Sequence, residues 1–124
     1  MEALQPDGMV KPEAPYSPVV VTDGLVYTAG QVAFDAEGNV VSDDITVQTR
    51  QVFENIRRCL DAAGCGFADV VKVLAFLSDM RDFEAYNEVY RQYFSEPYPA
   101  RSTVQVTLGP GLKVEIEVIA RKPS

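Results

Sequence analysis

Val19-Val20-Val21-Thr22 is a β-branched run that stops at Asp23-Gly24, and Leu25 to Val32 resumes the pattern with one break at Gly30. Two such runs around an Asp-Gly signal predict a hairpin. Asp35-Ala36-Glu37-Gly38 marks a further turn before a short Val40-Val41 segment. The period then changes. Ile45, Val52, Ile56, Cys59, Leu60 and Ala63 recur at three- and four-residue steps, with Arg50, Glu54, Arg57 and Asp61 opposite. That is a helix buried along one stripe. Asp43 or Asp44 opens it by capping free N–H groups and complementing the dipole, and Gly64 and Gly66 close it. Val70 to Leu77 predicts a strand, and residues 82–94 a second helix with Phe83, Tyr86, Tyr90 and Phe94 along one side. Pro97 and Pro99 hold the following link extended.

Residues 101–108 and 112–121 predict two last strands, flanking Gly109-Pro110-Gly111. The order β-β-α-β-α-β-β gives an α+β domain with two helices packed on one face of the sheet. Strand alternation turns Ser102, Val104, Val106 and Leu108 toward the helices and Arg101, Thr103, Gln105 and Thr107 away. In the final strand Val114, Ile116, Val118 and Ala120 form one set, and Lys113, Glu115, Glu117 and Ile119 the other. The middle strand is apolar on both faces apart from Lys72. Two helices cover only one face, so the second predicts contact with another subunit in a closed homo-oligomer.

The 124 residues have room for one core, so residues 1–124 are read as a single domain, with residues 1–13 a polar, flexible lead-in. A chain 47% hydrophobic and 23% charged is globular. No apolar run reaches the roughly 18 residues that span a bilayer, and the lead-in is neither a signal peptide nor a basic transit sequence. A cytoplasmic location is expected. The net charge of −7 repels phosphate backbones, and Arg57-Arg58 is the only adjacent basic pair outside the C-terminal tail. Nucleic acid is therefore a disfavoured partner.

Histidine is absent. This removes Ser-His-Asp and Cys-His nucleophile systems and the commonest transition-metal ligand. Cys59, on the apolar helix face, and Cys65, in a turn, fit neither a zinc site nor a secreted disulfide framework. Chemistry is left to carboxylates, Arg, Tyr, Lys, backbone groups and ordered water.

Arg101 starts a β-type run after a Pro-rich loop, with no acidic neighbour inside the segment. A guanidinium placed there costs desolvation unless an anion meets it, and its planar fork matches a carboxylate or phosphate. Either a ligand supplies that anion or the chain's own Glu115 or Glu117 does. If the last two strands pair across the Gly-Pro-Gly turn, Arg101, Thr103, Gln105 and Glu115 share the face turned from the helices at different heights. That arrangement favours a site between subunits; otherwise Glu115 is a solvated or ion-paired strand residue. Tyr16, after Pro15, is an aromatic lid or simple packing. Asn87 reaches a partner or faces water. Gly30-Gln31 allows a ligand to approach the backbone closely, or marks a bulge. No phosphate loop or dinucleotide fingerprint is present.

Several segments together resemble the Rid (YjgF-like) reactive intermediate deaminase family. They include Ala14-Pro15-Tyr16-Ser17-Pro18, Tyr27-Thr28-Ala29-Gly30-Gln31-Val32, Gln48 to Ile56, Ala62-Ala63-Gly64 and Asp69-Val70-Val71-Lys72. Asp82-Phe83 with Asn87-Glu88-Val89-Tyr90, Pro99-Ala100-Arg101-Ser102 and Val114 to Ala120 complete the match, in register from Ala14 onward. The resemblance implies a chorismate-mutase-like fold and a homotrimer with an inner sheet barrel and three ligand clefts between subunits. It implies a 2-iminobutanoate/2-iminopropanoate deaminase-type hydrolase that converts enamines and imines such as 2-aminoacrylate to 2-keto acids and ammonia, with no metal or organic cofactor. By position, Arg101 matches the carboxylate-binding arginine and Glu115 the glutamate that positions the attacking water. Tyr16 matches the aromatic that closes the cleft, Gly30 a backbone group lining it and Asn87 a supporting helix residue. Thr103 stands where several members have cysteine, and its hydroxyl still offers the substrate a hydrogen bond. Ala29 replaces a frequent serine, and the turn at Leu108 to Gly111 looks shorter than in some relatives. Two other readings stay open: an endoribonuclease or translation inhibitor, and a non-catalytic small-metabolite binding module. A deaminase specific for a larger unsaturated amino acid is a closer variant.

Overall fold

Residues 1–123 are described by a computed structural model. Seven strands run β1 Glu2–Leu4, β2 Val19–Thr22, β3 Leu25–Thr28, β4 Gln31–Val32, β5 Val70–Leu77, β6 Ala100–Gln105 and β7 Val114–Arg121. Helix α1 spans Ile45–Ala62 and α2 spans Phe83–Tyr93. The sheet order is β1-β2-β3-β7-β5-β6, with β4 also pairing β7. Only β5 and β6 are parallel neighbours; the other pairings are antiparallel.

The α1 stripe forms as its spacing requires. Val52, Phe53, Ile56, Cys59 and Leu60 are buried against Val73, Ala75 and Leu77 of β5 and Val114, Ile116 and Val118 of β7. Asp44 caps the helix, its Oδ2 accepting from the Val47 N–H at 2.9 Å. Gly64 takes the left-handed turn after its end, with φ +73. Phe53 anchors a ring cluster with Phe67, Tyr90, Tyr93 and Phe94 that joins α1 to α2. Both helices lie on one side of the sheet, which leaves the other side open. No helix is long and apolar enough to cross a membrane.

Two expectations fail here, and one cause explains both. The last two strands do not pair across Gly109-Pro110-Gly111; β5 lies between them. An interior strand that is apolar on both faces takes two partners, and the 106–113 segment bridges its end instead of turning tightly. The Val106 N–H donates to the Leu77 carbonyl at 2.9 Å and the Ser78 N–H to the Lys113 carbonyl at 3.0 Å. Parity along β6 is thus set by its parallel register with β5, where Arg101 lies beside Val73, Thr103 beside Ala75 and Gln105 beside Leu77. Arg101, Thr103 and Gln105 therefore face the helices, while Ser102 and Val104 lie on the open side, the reverse of the expected assignment. Polar residues are tolerated there because β6 is an edge strand that α2 covers only in part.

The expected lead-in of residues 1–13 contains β1, which pairs with β2 through Glu2–Val21 and Leu4–Val19 and packs Leu4 against the core. Met-Glu-Ala-Leu carries no β-branched signal. The unpaired edge of β2 supplies the reason for a strand there.

Candidate functional site

Arg101 reaches back from the sheet edge under α2. Its Nη1 donates to Asn87 Oδ1 at 2.8 Å and makes a long contact of 3.5 Å to the Tyr86 hydroxyl. Three rings surround the guanidinium: Tyr90 at 4.5 Å, Tyr86 at 5.4 Å and Phe83 at 5.6 Å from Cζ to the ring centroid. The ion pairs among the described residues join Arg57 to Glu54, Arg81 to Asp79 and Arg91 to Glu88, so no carboxylate meets Arg101. With both Nη1 hydrogens engaged, the Nε and Nη2 edge remains, and that edge alone grips a carboxylate with two parallel bonds. Beside it lies an open cleft of about 430 Å³ walled by Asn87, Tyr90, Arg91, Tyr98 and Pro99.

The phenols around the cation stay protonated. Burial pushes Tyr90 up to about 12 against the opposing charge of Arg101. Burial also raises Tyr86, opposed by its bond to Thr103 and by Arg101. Thr103 Oγ1 lies 3.4 Å from the Tyr86 hydroxyl. Asn87, whose alternatives were a partner or water, therefore holds the arginine.

Glu115 occupies the other side of the sheet, on β7 opposite Val32 of β4 and Phe76 of β5. It is half-buried; burial first, and the nearby Glu117 charge second, push its carboxyl above the usual range. Gly30 comes so close that a Cβ there would run into Oε2 and lie 2.8 Å from Cδ. A side chain at position 30 would therefore push the Glu115 carboxylate out of its place. Tyr16 is exposed, at the rim of a pocket of about 160 Å³ shared with Pro12, Pro18, Gly30 and Gln31.

Helix α1 fixes this second group through two carboxamides that the sequence patterns did not single out. Buried Gln48 donates to the carbonyls of Ser42 at 2.7 Å and Gly111 at 2.8 Å and accepts from the Lys113 N–H at 2.9 Å. Asn55 donates to the carbonyls of Val32 and Phe34, each at 3.0 Å. One clamp sets the start of β7 and the other sets β4, so Glu115 is registered from both neighbours. A polar residue inside an apolar helical stripe was the available signal.

Arg101 and Glu115 thus do not share a face, and the expectation that placed them together is corrected. They lie two strands apart and three residues offset along β5, roughly 14 Å within the sheet plane, and on opposite sides of it. Arg101, Asn87 and Thr103 lie together on one side of the sheet, and Glu115 lies against Gly30 on the other, with Tyr16 and Gly30 lining one pocket.

The family model described as Endoribonuclease L-PSP matches residues 8–122. A RutC family protein of Pyrococcus horikoshii is 44% identical over 123 residues, 98% of each chain. The human 2-iminobutanoate/2-iminopropanoate deaminase is 41% identical over 108 residues, covering 86% of this chain and 79% of its own. Among solved structures, RidA from an Antarctic Psychrobacter matches with a TM-score of 0.90 and 41% identity, over 98% of this chain and 99% of that one.

Proposed function

Because the chain belongs to the YjgF/RutC family of Rid proteins, which includes imine deaminases, we propose that it hydrolyses carboxylate-bearing imines and enamines, such as 2-aminoacrylate, to 2-keto acids and ammonia. The observation that carries this reading is the guanidinium of Arg101, stacked and oriented but free of any carboxylate on its Nε and Nη2 edge. Such an edge binds a carboxylate side-on and fixes the adjoining C=N carbon.

Glu115 of the partner subunit then serves as base. A water held on its carboxylate adds to the imine carbon, and its proton passes by way of Glu115 to the nitrogen. The tetrahedral adduct re-forms C=O as ammonia leaves. An enamine is first protonated on carbon and gives up a proton from nitrogen, which yields the same imine. A carboxyl raised above its ordinary value matches proton transfer near neutral pH better than an ordinary one. Tyr16 closes over the cleft and Gly30 lines it. The opposite placement of the two groups supports clefts between subunits of a closed homo-oligomer, a trimer by the family resemblance, in the cytoplasm.

A coupled assay tests the reaction: an amino-acid oxidase generates the imine, and its disappearance is followed with and without this protein. Acceleration by the wild type and its loss in Arg101→Ala, with an unchanged melting curve, is the expected result; equal turnover by the two would refute the assignment. Keto-acid binding without turnover would leave a binding module in its place. The nuclease description of the matching model is tested by incubation with RNA at matched salt, where a net charge of −7 predicts no cleavage.

A further inference from the structure

Three aromatic residues surround Arg101, and they are not equivalent. Phe83 has no polar atom. Tyr90 offers a hydroxyl that is buried without a hydrogen-bond partner. Tyr86 alone, fully buried, turns its hydroxyl to two polar neighbours: Arg101 Nη1 at 3.5 Å and Thr103 Oγ1 at 3.4 Å. A guanidinium only donates, so the Tyr86 oxygen accepts from Arg101 and its own hydrogen is left for Thr103. When Tyr86 donates that hydrogen, the Thr103 oxygen accepts, and the Thr103 hydrogen is free on a residue that is only half-buried. Either hydroxyl of the Tyr86–Thr103 pair can donate; the order Arg101 to Tyr86 to Thr103 is the one that leaves the Thr103 hydrogen for a ligand.

We propose that Tyr86 is a positioning residue for the carboxylate receptor: its hydroxyl holds the Nη1 end of Arg101, so that the Nε–Nη2 edge faces the ligand, and turns the Thr103 hydroxyl outward as a further donor. This rests on the deaminase reading for its substrate, though not for its geometry. Both contacts are long in the free chain and weak as they stand; a carboxylate drawn onto Arg101 and Thr103 shortens the series, since such bonds tighten on ligand binding. The hydroxyl at position 103 thereby gains a reason. Valine would fill the same space and give Tyr86 no oxygen to donate to.

Tyr86→Phe keeps the ring and its stacking and removes only the hydroxyl. Tyr86→Phe, Thr103→Val and the double variant are compared with the wild type by imine turnover, by calorimetric titration with 2-oxobutanoate and by thermal melting. Tyr93→Phe serves as control, because it deletes a tyrosine hydroxyl bonded to Glu54 at 2.7 Å, away from the cleft. Each single variant is expected to raise KM and the 2-oxobutanoate Kd about tenfold, the effect of one hydrogen bond to a charged group, with kcat lowered less than about threefold. The double variant should bind no worse than the singles, since both break one series. Unchanged Kd in a Tyr86→Phe that melts like the wild type, losses that multiply in the double variant, or an equal loss in Tyr93→Phe would each overturn the proposal. Should Tyr86→Phe fold poorly, Thr103→Val alone decides it through the same KM and Kd. A wild type that binds 2-oxobutanoate but turns over no imine removes the deaminase reading and leaves this test intact; one that binds no keto acid removes both.

Discussion

A half-buried carboxylate beside a second one is costly to ionise, and Glu115 next to Glu117 is in that position. The folded chain holds the Glu115 proton more tightly than the unfolded chain does. Stability from this group is therefore present below the ordinary glutamate value, about 4.3, and is lost as pH rises through the raised folded value. At pH 7 the charged form is a net burden on the fold. Glu115→Gln keeps the shape without the charge. It should melt higher than the wild type at pH 7, lose that advantage as pH falls to about 4, and lose imine turnover throughout. Melting curves across that range, set beside the coupled assay, check both halves. Identical melting at every pH would mean that the carboxylate is not strained by its surroundings. The residue that limits stability is then the one the proposed reaction needs.

Which residues were legible in the sequence depends on how far their partners lie along the chain. Asp44 caps α1 from three residues away, and the capping signal is local. Gln48 reaches Gly111 and Lys113, more than sixty residues on, and no periodicity marks that contact. The energies run the other way. Asp44→Ala, losing one exposed cap, should cost about 1 kcal/mol. Gln48→Leu, leaving two carbonyls and one N–H without their partner in a part-buried junction, should cost about 3 kcal/mol. Urea unfolding of the two variants separates them, and equal losses would deny Gln48 its clamping role. The same rule accounts for the strands. The β2–β3 hairpin, α1, β5 and α2 were readable because each is decided by its own pattern. The place of β6 depends on β5 and α2 together, so its partner and its parity were both misread. Arg101 was singled out by its place after the Pro-rich loop, but its aromatic enclosure was not, since Tyr86 and Tyr90 come under it only once the parallel register is known.

At the scale of the molecule, one chain holds Arg101 and Glu115 on opposite sides of its sheet and does not bring them together. The open face sets Tyr27, Leu74, Phe76, Val104 and Ile119 around Glu115, Glu117 and Lys72. An apolar surface of that kind favours another copy of the chain, and a head-to-tail contact repeated around a ring would bring the receptor of each protomer to the base of the next. Subunit mixing tests this directly. Arg101→Ala and Glu115→Gln are each expected to be inactive alone. When the two are unfolded together and refolded as mixed rings, a cleft is intact if its arginine comes from one variant and its glutamate from the other. Each condition is met in half of the cases, so about a quarter of the clefts should recover, whatever the number of subunits in the ring. Light scattering on the same sample confirms that rings have formed. If both groups acted within one protomer, every chain would lack one of them and mixing would restore nothing. Activity near a quarter of the wild-type value, absent from the unmixed variants, identifies the cleft as shared.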